Sequence, residues 1–317
     1  MKNEDALVFI DANQYLDLYR FPIKKSKKVL DLLREQQDYI FVTAQVVDEV
    51  QRRKLRVAEG FLVGQLNQLP NWSAVTVLTD YVVSVSGKPT LTLREKLRAV
   101  SQDKKVKTEL EEAVVKTLQL ISLSEDQVSK VLEHLFSKAI DHTPEEIERA
   151  RKRKERGNPP GKQAAPLGDQ LTWEQLLSHF QGKSRLWIIS RDSDYFSKQY
   201  GKTFLNPLLY QDLARLNQRA PEAFCFDSIS EGINDFVQKT GVKAKKLLTP
   251  EESQEIKKAQ DALPPLDSLG WLYSGTDDAT VAAIQQNIRS RQMSPALLAA
   301  ISNQGWHPGM EPDPDKP

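Results

Sequence analysis

The sequence predicts an α/β protein with a three-layer α/β/α core: a central, parallel, twisted sheet covered by helices on both faces, with a helical insertion and a helical C-terminal appendage. Three observations carry the prediction. Short runs that are apolar on both faces recur at Ala6–Ile10, Tyr39–Val42 and Leu186–Ile189, as buried parallel strands require. Amphipathic helical stretches separate them, and that alternation lays strands side by side in parallel. Of 317 residues, 39% are hydrophobic and 27% charged, with 14 Gly and 17 Pro, which excludes collagen-like, mucin-like and wholly disordered chains. At roughly 150 residues per domain, the length suits two domains or one enlarged one.

Taken in order, Ala6–Ile10 is too short for a helix, and Asp11-Ala12-Asn13 closes it as a strand. Ser26–Gln36 carries Val29, Leu30, Leu32 and Leu33 as an apolar stripe and reads as a helix; the second strand then completes a βαβ unit. Thr43 is placed as the N-cap of one long helix to about Leu69, with Val46, Val47, Val50, Leu55 and Val57 in its pattern. Between Pro70 and Ser124 the β-branched residues Val75, Val77, Val82, Val83 and Val85 do not separate helix from strand, whereas Leu91–Val100 and Thr108–Leu123 are helical by spacing. Thr143-Pro144-Glu145-Glu146 supplies an N-cap, a first-turn proline and a glutamate three residues past the cap, so a helix starts there and runs into a basic tract. Gly157-Asn158-Pro159-Pro160-Gly161 ends it.

Gly168-Asp169 opens the next helix, with Leu171, Leu176, Leu177 and Phe180 on one side. After the third strand, a helix at Leu208–Leu216, a strand at Ala223–Phe226 and a helix at Ile229–Lys239 continue the alternation. The α/β body is therefore placed at 1–240, with the insertion at about 70–150. Thr249-Pro250-Glu251-Glu252 is a second capping box, and Thr276–Ile288 and Ser294–Ser302 read as short helices, which makes 241–308 a small helical C-terminal region. Residues 309–317 are proline-rich and acidic, and a disordered tail is expected.

Lys plus Arg (44) nearly balance Asp plus Glu (43), so any attraction for a polyanion must come from local clustering. The one cysteine, Cys225, excludes an intramolecular disulfide and suits a reducing compartment. The chain has no apolar run of about 18 residues for a membrane span, and Met1–Asp5 lacks a signal peptide's basic start; a cytoplasmic protein with no membrane partner is expected.

Four acids stand where such a sheet presents ligands: Asp11 and Asp192 just past strands, Glu49 in the helix after the second strand, and Asp169 opening a helix. Each has a bland reading. Asp11, Asp192 and Asp194 could be turn formers, Glu49 could pair with Arg53 along its helix, and Asp169 could cap. Together, however, clustered carboxylates repel one another unless a cation joins them, and oxygen-only ligands select hard ions, Mg²⁺ or Mn²⁺.

The joint pattern resembles the PIN-domain nucleases, in particular the PIN-like group with a proline-rich loop before the third acid. The matching pieces are Val8-Phe9-Ile10-Asp11-Ala12-Asn13, Phe41-Val42-Thr43 with Val46-Val47-Asp48-Glu49, Gly157-Asn158-Pro159-Pro160-Gly161-Lys162 with Gly168-Asp169 and Trp173-Glu174, and Ile188-Ile189-Ser190-Arg191-Asp192-Ser193-Asp194. The resemblance implies a metal-dependent endoribonuclease in which Asp11, Glu49, Asp169 and Asp192 bind Mg²⁺ or Mn²⁺. It gives Asn13 a place beside the first acid, Ser190 the task of orienting Asp192, and Asp194 a lesser role through water or a second ion. It also allows a toxin or phage-defence role with a regulatory partner or a homo-oligomer. A non-catalytic RNA-binding module and a DNA-directed, structure-specific nuclease remain the alternatives.

From Arg149 to Lys162, seven cations stand against the single Glu155. Arg149, Arg151, Lys152, Arg153, Arg156 and Lys162 are therefore candidate contacts to nucleic acid, RNA ahead of DNA; the competing reading is a solvated helix face neutralised by Glu145, Glu146 and Glu148. His134, His142, His179 and His307 form no pair suited to metal-free cleavage.

Overall fold

The structure, a computed structural model, describes residues 5–68 except 22, then 77, 78 and 81, 104–216 except 163–165, and 221–266 except 246, 264 and 265. The helices expected at Leu91–Val100, Thr276–Ile288 and Ser294–Ser302 and the tail at 309–317 lie outside these residues. No helix among the described residues is long and apolar enough to cross a membrane.

Strand β1 (Ala6–Ile10) forms over the apolar run expected for it, with Val8, Phe9 and Ile10 buried. The chain does not turn there: Asp11, in extended conformation, precedes a short helix α1 (Ala12–Asp17) and one 3₁₀ turn, Leu18–Arg20. Helix α2 (Ile23–Glu35) and strand β2 (Ile40–Phe41) follow, and then the long helix α3 (Ala44–Asn67), whose first turn is capped by Thr43 Oγ1 accepting from the Val46 N–H at 3.2 Å. Helices α4 (Lys104–Ser122) and α5 (Gln127–Phe136) form the described part of the insertion, and they lie against the body, α4 on α3 and α5 on α2. The buried Lys54 of α3 pins the insertion by donating to Ser124 Oγ at 2.6 Å.

The capping box at Thr143 starts α6 (Pro144–Glu155), and α7 (Gly168–Phe180) follows the Gly-Pro loop. Strand β3 (Arg185–Ile189) leads into an antiparallel hairpin absent from the sequence expectation, β4 (Phe196–Gln199) and β5 (Lys202–Leu205). Its turn places Tyr200 and Gly201 at φ 50° and 74°, the two-residue turn usually signalled by Asn-Gly or Asp-Gly, so a tyrosine hid it. Helix α8 (Pro207–Leu216), edge strand β6 (Glu222–Phe226), α9 (Ile229–Thr240) and α10 (Pro250–Asp261) complete the described chain.

The main sheet is parallel throughout, in the order β2-β1-β3-β6. Its central strands are buried on both faces, and Trp187 of β3 stacks on Phe224 of β6 at 4.6 Å between centroids. Gly232 of α9 lets that helix sit on the sheet, because a Cβ there would lie 2.5 Å from Ile189 Cδ1.

Helix α10, expected in a separate helical region after 240, packs on α9 and joins the α/β body. The reason is polar. Gln260 of α10 is fully buried and its Nε2 donates to Gln14 Oε1 and Asp17 Oδ2 of α1, both at 2.9 Å. Lys257 reaches Asp227 and Glu231 from the same helix.

Replacing Gln260 by Leu leaves the buried Gln14 Oε1 without its donor and takes one of two partners from Asp17 Oδ2, which Arg191 still reaches. We expect Gln260→Leu to cost about 2 kcal/mol of stability in urea unfolding, whereas Gln254→Ala on the exposed side of the same helix stays within about 0.5 kcal/mol.

Candidate active site

The chain leaves β1 for β2 on one side and returns to β3 on the other, so the boundary between β1 and β3 is the point where strand order reverses, the crevice where open parallel sheets bind ligands. The register continues past both strands: the Asp11 N–H donates to Ile189 O and the Ser190 N–H to Phe226 O, both at 3.0 Å. Asp11 and Ser190 therefore stand side by side at the strand ends. Ser190 Oγ donates to Asp11 Oδ2 at 2.6 Å, and Asn13 Nδ2 donates to the same oxygen at 2.5 Å.

Ser190 holds Asp192 as expected, though through the backbone, its oxygen accepting the Asp192 N–H at 2.9 Å, and its hydroxyl also donates to Asp11. The following residues form a tight turn in which Asp192 Oδ1 accepts the Asp194 N–H at 2.9 Å. Asp194 turns its own Oδ2 to the Gly161 N–H at 3.1 Å and so fastens the loop before α7. Gly161 is required there: its φ is 94°, and a Cβ would lie 2.5 Å from Gln170 Nε2 and 3.0 Å from Asp169 Cβ. Asp169 is thus held beside Asp194 by a close backbone approach.

Glu49 lies in the second turn of α3. It makes the pair with Arg53 that the bland reading anticipated, at 2.6 Å, and its charge also acts on Asp11 and Asp169. The acids consequently share one electrostatic neighbourhood. Burial, with further push from Asp169, Glu49 and Asp192, raises the Asp11 carboxyl to about 7, against the Ser190 hydrogen bond that lowers it. Burial, then Glu49, Asp192 and Asp194, raises Asp169 to about 6, with exposed Lys162 opposing.

The basic tract divides. Arg151 and Lys152 are exposed on α6, Lys152 beside Glu148 at 3.4 Å, as are Arg156 at its C-cap and Lys162 in the loop. Arg153 is not presented to a ligand: only 8% exposed, it donates to Glu174 Oε1, Asp212 Oδ2 and Pro159 O within 2.8 Å, joining α6, α7, α8 and the loop. Arg149 commits its Nε to Glu174 Oε2 at 2.9 Å and an Nη to Ser178 at 3.0 Å. Both ion pairs have one cause, the buried Glu174, a charge that must be paired once desolvated, but Arg149 keeps a half-exposed side chain whereas Arg153 does not. Glu174 is one of several polar residues buried in α7, with Gln170, Thr172 and Gln175, so the hydrophobic pattern of the helix carried no signal for it.

A second buried group underlies the site. Asp17 is fully buried and receives Arg20 at 2.5 Å, Gln260, and Arg191 at 3.3 Å. Arg191 is the residue between Ser190 and Asp192, so this network fixes the turn from beneath. The sequence offers only the Asp17/Arg20 spacing as a hint of it.

In kind, the donor set suits a hard divalent cation: oxygen ligands only, with two carboxyl groups pushed upward by burial and mutual repulsion. In spacing it stands open, since among the described residues no three acidic, histidine or cysteine side chains are grouped closely enough to hold an ion as they are.

A reversal point in a parallel sheet, lined by acids from both flanking strands and two helices, defines a PIN-like nuclease fold. The chain belongs to that family: the model described as PIN like domain matches residues 7–207, which include all five acids. PIN-like domains are in general nucleases acting on nucleic acid, typically with divalent metals. No curated protein and no solved structure matches the chain.

The raised carboxyls set a pH dependence. Unfolded, Asp11 and Asp169 ionise near their ordinary values; folded, they keep their protons up to about 7 and about 6. The penalty of burying them is therefore absent only below their ordinary value near 4, accumulates as pH rises to about 6 for Asp169 and about 7 for Asp11, and is constant above that. In EDTA we expect Asp11→Asn to raise the melting temperature at pH 8 and to leave it nearly unchanged at pH 4. Equal shifts at both pH values, read by scanning fluorimetry, would refute the buried like-charge cluster.

Proposed function

We propose that the chain is a Mg²⁺- or Mn²⁺-dependent endonuclease that hydrolyses phosphodiester bonds, with RNA as its principal substrate. The observation that carries the reading is the pair Asp11 and Asp169, raised by burial and by the other acids at the reversal point. Asp11, Glu49, Asp169 and Asp192 would hold the ion, which when bound supplies an activated water and charge neutralisation at the phosphate.

The chain's own residues prepare that place. Ser190 and Asn13 both donate to Asp11 Oδ2, so they fix the carboxylate's plane while Oδ1 receives no hydrogen bond among the described residues. Asp194 holds the loop so that Asp169 faces the other acids. Lys162, close enough to lower Asp169, stands where an incoming phosphate meets the acid cluster. RNA is placed ahead of DNA on the resemblance to ribonucleases of the PIN group.

A second reading, a binding module without catalysis, draws on the Glu49–Arg53 pair and the open spacing of the acids. Cleavage assays separate the two. Asp11→Asn and Asp169→Asn should each abolish Mn²⁺-dependent cleavage of defined RNA and DNA strands with the fold intact. Asp192→Asn should cost on the order of a hundredfold in rate. Asp194→Asn, which keeps an oxygen for Gly161, should cost nearer tenfold and be partly rescued by more Mn²⁺. Undiminished cleavage by the first two variants refutes the assignment.

The division of the basic tract yields a binding test. Changing Arg151, Lys152, Arg156 and Lys162 to Gln should weaken binding in EDTA and flatten its salt dependence, by roughly 0.7 in log-log slope for each phosphate of a single strand that the variant no longer neutralises. Arg153→Gln should instead lower stability, because it leaves Glu174 and Asp212 short of a buried partner.

A further inference from the structure

Every exposed aromatic side chain among the described residues falls between 200 and 210: Tyr200, Phe204 and Tyr210. Tyr200 is fully exposed at the hairpin tip in left-handed conformation, which disfavours a bulky side chain, and it buries nothing in return. A turn selected for folding alone would carry Asn or Asp there. Phe204 is 53% exposed, and the register Ser197↔Phe204 puts it on the outer face of the hairpin with Lys202 two residues away on the same face, while Phe196 on the inner face is buried.

The hairpin stands on the side of the sheet that carries the acids. It begins directly after Asp194 and Tyr195, and its base closes through the Asn206 N–H to Tyr195 O at 2.8 Å. Lys198 ties it to Asp227, just past the carboxyl end of β6, at 2.7 Å. With six residues from Asp194 to Tyr200, the tip lies within about 20 Å of the acids at a strand's rise per residue. From 196 to 216 the charges are Lys198, Lys202, Arg215 and a single acid, Asp212, which Arg153 and Trp173 Nε1 hold inward. That Arg153 clasp also fixes α8 to α6, whose outer face carries Arg151, Lys152 and Arg156.

From these observations we infer that the β4–β5 hairpin is a stacking platform for unpaired bases, with Tyr200 and Phe204 as the stacking faces and Lys202 as a phosphate contact, on a strand that continues to the acids. Aromatic faces interleaved with cations on a surface without net negative charge fit single-stranded nucleic acid, because its bases are free to stack, whereas a duplex keeps them inside. The inference rests on the nuclease reading for where the strand leads, but binding at the hairpin is measured without cleavage.

The test is binding in EDTA of fluorescein-labelled oligo-U, oligo-dT, an abasic strand of equal length and a blunt duplex, to the wild type, Tyr200→Ala/Phe204→Ala and Tyr200→Phe/Phe204→Tyr. Both positions are solvent-exposed, so the alanine variant should keep the wild-type melting temperature. We expect it to bind oligo-U and oligo-dT about tenfold or more weakly and the abasic strand unchanged, with the conservative variant restoring affinity; preference between oligo-U and oligo-dT separates RNA from DNA as the strand bound. Unchanged binding of oligo-U and oligo-dT, an equal loss on the abasic strand, tighter wild-type binding to the duplex, or loss of self-association in place of strand binding would each overturn the platform. Intact stacking behaviour with no cleavage of any strand in Mn²⁺ would refute the nuclease reading alone.

Discussion

The parallel pairing of β1 with β3, with Ile10 opposite Ile189, determines where every acid stands. One more residue on each strand brings Asp11 beside Ser190, and the hydroxyl-to-carboxylate bond between them joins two segments far apart in the chain. Strand order reverses at this seam, and α3 and α7 bring the charges of Glu49 and Asp169 to act on Asp11 there. The result is a set of like charges that the fold holds at a cost, visible in the raised carboxyls of Asp11 and Asp169. A protein without use for such a cluster has no reason to keep it.

Two buried anions under and beside the seam keep it rigid. Asp17 gathers Arg20, Arg191 and Gln260, which binds α1, the turn after β3 and the last described helix into one support. Glu174 gathers Arg149 and Arg153, and Arg153 extends to Asp212 and the Gly-Pro loop. Neither network is evidence for stability as such, since buried ion pairs often only offset their desolvation. Their value is geometric: each fixes a segment that carries an acid of the site, Asp192 in one case and Asp169 in the other.

Most of the α/β body was legible because its strands are apolar on both faces and its helix starts carry caps; Ala6–Ile10, Thr43, Thr143 and Thr249 fall where the sequence put them. Helix α1 is too short to show a period, and the hairpin turn uses Tyr-Gly in place of a recognisable turn pair. Helix α10 looked peripheral because its buried face has Ile256 as its one large apolar residue beside the polar Ser253 and Gln260, too little for a hydrophobic pattern to register. The same blindness affected Arg153 and Arg149. In a dense run of cations, sequence cannot tell which ones face a buried carboxylate, because the partner, Glu174, lies some twenty residues on in another helix.

The near-neutral total charge conceals a division of labour. An acidic crevice repels a polyanion, so the cluster that suits the chemistry opposes capture of the substrate. On the proposed reading, capture would come from surfaces set apart from the acids yet joined to them: the outer face of α6, Lys162 at the loop, and the hairpin that follows Asp194 and Tyr195. The Arg153 clasp supplies the joint, linking α6 and α8 to the helix that presents Asp169. If the proposed reading holds, binding and cleavage are separable by mutation, because the acids and the cationic surface belong to different segments joined only through the Arg153 clasp.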